Sequence, residues 1–384
     1  MTNEVKNIPE LRFSGFEGEW EEKLIKDILE FENNRRKPVT STIREIGNYP
    51  YYGASGIIDY VKDYIFNNER RLLIGEDGAK WGSFEESSFI ATGRYWVNNH
   101  AHVAKSELNN LIFLNNSLNY KELRTYVTGN APAKLTYNNL CNIPILLPSI
   151  EEQNKIGNFF SKLDRQIELE EEKLELLEQQ KKGYMQKIFS QELRFKDENG
   201  KDYPAWEIKK LGDLYKYQQG QQIPVENQYK IPTNNMKRFI RIVDITENPK
   251  KRYIKDRKES GLINRKDLIM IRYGASAGTI SMGYEGVIAN NLFKFVKKQD
   301  VDNRYFYFLL KKSHFKIKSL SSQSAMPALN FNAMDTLKFS IPQYSEQQKI
   351  GEFFSELDKL VEKQVSKIEL LKQRKQGLLQ KMFI

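Results

Sequence analysis

Arg272-Tyr273-Gly274-Ala275-Ser276 puts a forked donor, an aromatic ring and a hydroxyl on the turn after an apolar run. Similar groups gather at Gln221-Gln222, Arg241, Asn290-Asn291 and Gln323, and earlier in the chain at Tyr51, Tyr52, Ser55 and Asn98-Asn99. Glu76, Asp77, Lys80 and Trp81 flank another Gly-Ala pair. Arginine, asparagine, glutamine and hydroxyl side chains on loops are the groups that read base edges in a DNA groove, while lysines and aromatics hold phosphates and sugars. Each such loop also serves simply as a turn, because Gly, Asn and Ser form turns in any protein.

Catalytic chemistry finds no comparable footing. An amino-methyltransferase grips its flipped base with an Asn/Asp-Pro-Pro-aromatic motif, and the chain has no Pro-Pro pair. Residues 274–279, Gly-Ala-Ser-Ala-Gly-Thr, lack the lysine and the spacing of a phosphate loop, and 13–18 have the wrong spacing for a cofactor loop. One cysteine, Cys141, and three histidines exclude a disulfide framework and leave little for zinc. The polar start and the lack of an apolar run near ~18 residues point to a soluble, cytoplasmic protein without a membrane partner. Net charge is +10, but residues 195–336 alone carry 26 Lys+Arg against 15 Asp+Glu, whereas 1–147 carry 17 against 19. A basic excess confined to one block suits a polyanion.

The elements that must position these groups are repeated. Residues 148–189 align with 342–383 without a gap, 22 of 42 positions being identical. Glu152-Gln153, Lys155-Ile156-Gly157 and Phe159-Phe160-Ser161 recur as Glu346-Gln347, Lys349-Ile350-Gly351 and Phe353-Phe354-Ser355. Ile156, Phe160, Leu163, Ile167, Leu174 and Leu177 step by fours and threes, as do Ile350, Phe354, Leu357, Val361, Ile368 and Leu371. That period of 3.5 predicts coiled-coil helices, each about 55 Å long at 1.5 Å per residue, starting after Pro148 and Pro342. Two matched seams in one chain favour antiparallel pairing within the chain over a homodimer. Polar residues interrupt both seams at the same steps, Glu170 and Lys181 against Gln364 and Lys375.

The repeat extends into the blocks between the helices. Glu10-Leu11-Arg12-Phe13 recurs at 192–195, Trp20 and Asp27 match Trp206 and Asp213, and Gly78-Ala79 matches Gly274-Ala275. An offset of 192 aligns Asn98-Asn99 and Lys105 with Asn290-Asn291 and Lys297. The Tyr-Gly-Ala-Ser runs at 52–55 and 273–276 fall out of register and read as coincidence. Strands are expected at 72–74, 143–147, 268–271, 293–296 and 337–341, and short helices at 118–126 and 305–312. The fold class is α+β: two related mixed blocks, 1–147 and 191–336, separated by helical spacers 148–190 and 337–384.

This order, block, Pro-x-x-x-Glu-Gln-x-Lys-Ile-Gly helix, block, helix, resembles the specificity subunit of type I restriction-modification enzymes along the whole chain. The resemblance implies two target recognition domains and a bipartite double-stranded DNA target. Its implied partners are two methyltransferase (modification) subunits and the restriction/translocase subunits. It further implies that S-adenosylmethionine, ATP and Mg are held by those partners and that this chain has no catalytic site or cofactor of its own. If the helices space two readers, one DNA turn of ~34–36 Å fits within their length. A fused restriction-methyltransferase is disfavoured by the lack of room for a catalytic domain, and a pure coiled-coil adaptor by the basic block.

Overall fold

The computed structural model describes residues 7–130, 132–247, 250–255, 260–321 and 327–384. The chain divides into two units: one takes the chain as far as Lys173 together with Gln364–Ile384, the other is Leu174–Lys363. Both are built on one plan. In the first unit an antiparallel sheet runs Glu30–Phe31, Ala101–Lys105, Arg71–Gly75, Ser88–Ala91. Beside it lies Gly56–Val61, Ile46–Gly53, Trp96–Val97, whose last pair is parallel. The second unit repeats the first sheet as Tyr215–Gln219, Leu292–Lys297, Ile269–Ile271, Ile280–Ser281. Its other sheet, Arg252–Lys255, Met236–Ile240, Gly286–Ile288, Leu262–Ile263, again contains one parallel pair.

A two-stranded ribbon closes each block. Glu21–Leu24 pairs with Pro144–Leu147, and Glu207–Lys210 pairs with Lys338–Ile341. The second strand of each ribbon hands the chain to a long helix, Ile150–Phe189 or Tyr344–Met382. The expected helix at 118–126 is displaced: Leu111–Tyr120 is the helix, followed by a 3-10 turn at Arg124–Tyr126. The signal overlooked was Asn110, whose side chain accepts from the amides of Ile112 and Phe113 and so starts the helix earlier. Its counterpart, Asn303–Lys312, is capped by Asp302 in the same way.

The repeated Glu-Gln-x-Lys-Ile-Gly motif now has a physical reason. Gln153 accepts from the amide of Asn110 (3.1 Å) and donates to the Pro148 carbonyl (3.1 Å), tying the long helix to the capped helix of its own block. Gln347 does the same with the amide of Asp302 (3.0 Å) and the Pro342 carbonyl (2.9 Å). A Cβ at Gly157 would lie 2.5 Å from Asn110 Oδ1, and one at Gly351 2.8 Å from Asp302 Oδ1, so only glycine lets the two helices approach this closely. Glu152 and Glu346 are buried, and each is neutralised by the arginine of the other repeated motif. Arg12 donates to both Glu152 oxygens at 2.7 Å, and Arg194 to Glu346 at 2.7 and 3.2 Å. We expect Arg12→Leu to cost the first unit roughly 3–5 kcal/mol, because it strands a buried carboxylate. Adding Glu152→Leu should recover much of that loss. Denaturant unfolding checks both, and a single variant as stable as wild type would contradict the account.

Within each unit a segment of one long helix runs antiparallel to a segment of the other. In the first unit Asp164 pairs with Lys375, and Glu170 with Gln364 and Lys367. In the second Lys181 pairs with Asp358, and Tyr184 meets Phe353 edge to face. The polar steps in the seams are thus cross-helix pairs. Ile156, Phe160, Leu163 and Ile167 are buried with Ile368 and Leu371, and Ile350 and Phe354 with Ile188, whereas Leu174, Leu177, Leu357 and Val361 are half-buried. The aromatic at each helix end plugs a core: Phe383 contacts Trp20, Phe113 and Phe160, and Phe189 stacks on Phe354 and meets Tyr305.

Candidate DNA-reading surface

In the second unit most of the candidate residues converge where four strands end. The Gln221 amide donates to the Ile288 carbonyl (2.8 Å), the Asn290 amide to Gln221 (2.8 Å) and the Arg272 amide to Asn291 (2.9 Å). A Cβ at Gly220 would sit 2.2 Å from the Ile288 carbonyl oxygen, so the crossing of these strands needs glycine there. Gln222, Arg241, Asn290 and Asn291 line a cavity of about 320 Å³ with Ile223 and Phe239. Arg272 lies over the Phe331 ring, 4.2 Å from its centroid, and donates through Nη1 to Gln219 Oε1. Its Nε and the Oδ1 of Asn291 are buried with no hydrogen-bond partner among the described residues. Arg241 is held by Asp244 (2.9 Å). Tyr273 and half-buried Ser276 lie on the adjoining turn, and Gln323 falls outside the described residues.

The first unit builds the same junction from different residues. The Glu76 amide donates to the His100 carbonyl (2.8 Å), Leu135 to Glu76 (2.7 Å) and Asn98 to Tyr52 (3.0 Å). The matching bonds are Arg272 to Asn291, Leu329 to Arg272 (3.0 Å) and Ala289 to Ile240 (2.8 Å). These pairs correct the expected alignment: Asn98 matches Ala289, Asn99 matches Asn290 and His100 matches Asn291, an offset of 191. The slip of one residue matters, because it turns each strand side chain to the opposite face. The same bonds make Glu76 the counterpart of Arg272 and Tyr52 that of Ile240, so the two Tyr-Gly-Ala-Ser runs are unrelated.

Four candidates of the first unit prove to be interior. The Tyr51 hydroxyl accepts from the Val39 amide (2.9 Å), with Arg44 over its ring. Trp81 donates to the Gly75 carbonyl (3.2 Å) inside the main core. Asn98 is buried and accepts from the His100 amide (2.8 Å). Glu76 is clasped by Arg36 (2.5 Å) and Lys134 (2.9 Å), with buried His102 beside it. Burial pushes the Glu76 carboxyl up, but hydrogen bonds from Lys134 and Arg36 outweigh it and hold it below the usual range. Ser55, Lys80 and Asn99 face solvent, while Tyr52 and Asp77 are half-buried, Asp77 beside exposed His100. Sequence reasoning passed over His100 and Gln219, although His100 follows the chosen Asn99 and Gln219 lies two residues before the chosen Gln221.

A model of the type I restriction modification DNA specificity domain matches twice, over residues 17–179 and 204–373. The chain belongs to that family. A putative type I restriction enzyme specificity subunit of Haemophilus influenzae is 42% identical over 145 residues, 37% of this chain and only 36% of that relative's own length. The putative MjaX specificity subunit of Methanocaldococcus jannaschii is 25% identical over 98% of this chain and 94% of its own. The crystal structure of an S subunit from M. genitalium superposes with a TM-score of 0.71 at 14% identity, covering 98% and 99% of the two chains. That likeness shows the fold shared by the specificity family. No described helix is long and apolar enough to cross a membrane.

Proposed function

We propose that this chain is the DNA-reading specificity subunit of a type I restriction-modification complex and recognises a two-part duplex target. The recognition blocks are 1–147 and 191–336, and the spacers are 148–190 and 337–384. It directs two modification subunits and the restriction/translocase subunits to that target in the cytoplasm. It has no catalytic group of its own, and S-adenosylmethionine, ATP and Mg reside on the partners. The observation that carries this reading is one strand-end junction built twice with opposite chemistry. Glu76 is neutralised internally in the first unit, whereas among the described residues Arg272 and Asn291 each keep a hydrogen-bonding atom without a partner in the second. A shared frame with divergent tips suits two readers of two sequences.

Co-purification with the modification subunit tests the proposal. Light scattering should give two modification subunits per chain, since two equivalent frames offer two equivalent surfaces. The complex should shift duplex carrying the methylated motif of its host. A stable one-to-one complex at saturation, or no sequence preference, would sink it.

A further inference from the structure

The second unit carries a second basic surface at the opposite ends of the strands that form its reading junction. Met236–Ile240 runs toward Arg241 at the junction, and its other end, with Lys237 and Arg238, borders an open groove of about 990 Å³. Lys251, Arg265 and Lys294 line the same groove. Among the described residues three carboxylates meet these five cations: buried Asp244 pairs with Arg238 (3.3 Å), Glu285 lies 3.5 Å from Arg265, and Asp267 accepts from the Asn264 amide (2.8 Å), while Lys294 donates to the Leu262 carbonyl (2.7 Å). Lys251 has no carboxylate partner among the described residues. The Arg238 guanidinium lies over the Tyr284 ring and pairs through Nη2 with Asp244, while its buried Nε has no hydrogen-bond partner among the described residues. From Lys237 to Arg241 is four residues of strand, about 13 Å, so the groove and the junction are separate places on one sheet.

Among the described residues the first unit fills the matching position differently. Strand pairing aligns Lys294 with Val103, Lys237 with Tyr49 and Arg238 with Pro50. There the space is filled by Phe66 and Tyr95, which are fully buried and stacked with centroids 4.8 Å apart. Arg35 and Arg71 beside them are consumed by Glu32 and Glu69. One scaffold position is therefore closed and internally neutral in one unit, and open and basic in the other. Part of the basic excess of residues 195–336 gathers here, away from the side chains placed to read bases.

We propose that this groove is a sequence-independent phosphodiester site that grips duplex DNA flanking the half-site of the second unit; the inference rests on the DNA-reading function proposed above. The ligand is a run of backbone phosphates. Compact lysines and an arginine with no aligned base-reading partner bind charge and carry no sequence information.

The test uses the complex with modification subunits and the double variant Lys251→Gln, Arg265→Gln. Both side chains are exposed, so melting should be unchanged. Wild type should bind duplex extended on the second half-site's side more tightly than duplex ending at the motif, and the variant should lose that preference. Two lost phosphate contacts should lower the salt slope by about 1.8, so affinity should fall roughly tenfold less than wild type between 50 and 200 mM salt. The methylated motif should be identical in both. Equal slopes and equal flank dependence would overturn the proposal, as would an altered motif. Competition by millimolar inorganic pyrophosphate as effective as that by unrelated duplex would also overturn it, by identifying a small-anion site. Failure of wild type to prefer any sequence would be a different outcome and would strike the parent reading instead.

Discussion

Exchanging residues 205–336 for the matching block of a relative should change one half of the methylated motif and leave the other half and the gap untouched. The expectation rests on where the block is anchored. Its contacts with the long helices run through Trp206, Tyr305, Phe306 and Phe308, packed with Ile188, Ile350 and Phe354 in one core. The first unit anchors its block through Trp20, Phe113 and Leu114 on Ile156 and Phe160. An anchor built from the same repeat positions twice is a property of the frame, so a relative's block should seat on it. The junction at Gln221, Arg272 and Asn290 travels with the block. Within it, Arg272→Ala should cost about 1–3 kcal/mol and relax one base position if the guanidinium meets a guanine edge. If it touches only phosphate, binding should weaken alike for all sequences with a flatter salt slope. Methylome sequencing reads the motif changes, and binding titrations across salt concentrations read the slope. A swap that altered both halves would end the modular account.

The second large effect is expected at the helix seam. Leu371→Asp with Leu177→Asp should abolish modification, and the structure assigns most of that loss to Leu371. Leu371 is buried in the core of the first unit beside Leu163 and Ile167, whereas its repeat partner Leu177 is half-buried. Truncating a buried leucine costs roughly 2–5 kcal/mol, and burying a carboxylate adds desolvation to that. Leu371→Asp alone should therefore unfold or loosen the first unit, and Leu177→Asp alone should be the milder change. Calorimetry and methylation of host DNA check this ranking. Full modification by the double variant would refute the role given to the seam.

The long helices, their register and the Glu-Gln-Lys-Ile-Gly repeat were legible because a 42-residue gapless repeat displays its period and its polar interruptions directly. The antiparallel sense followed from two seams in one chain, and Asp164–Lys375 and Lys181–Asp358 are its cross-helix signatures. The function of Glu152 and Gln153 was not legible, since their partners Arg12 and Asn110 lie 140 and 43 residues away. In the blocks, the loop candidates of the second unit gather at one strand-end junction, whereas several of the first lie in the interior. Trp81, Tyr51 and Glu76 sit beside turn residues, yet tertiary packing draws all three inward. The one-residue slip at Asn98 arose because two identical Asn-Asn pairs outweighed a strand register that only hydrogen bonds reveal.

The division of the chain has a consequence for its synthesis. Residues 364–384 belong to the first unit and supply its Leu371, Leu379, Met382 and Phe383. A ribosome adding about 5–20 residues per second needs roughly 10–40 s to pass from Lys173 to Gln364. Through that interval the first recognition block must wait with its aromatic pocket at Trp20 and Phe113 unfilled, while the later unit gathers all of its own parts first. The unit that starts second is thus the first to have all of its residues synthesised. A premature stop near codon 364 would spare the neighbouring second unit and cripple the distant first.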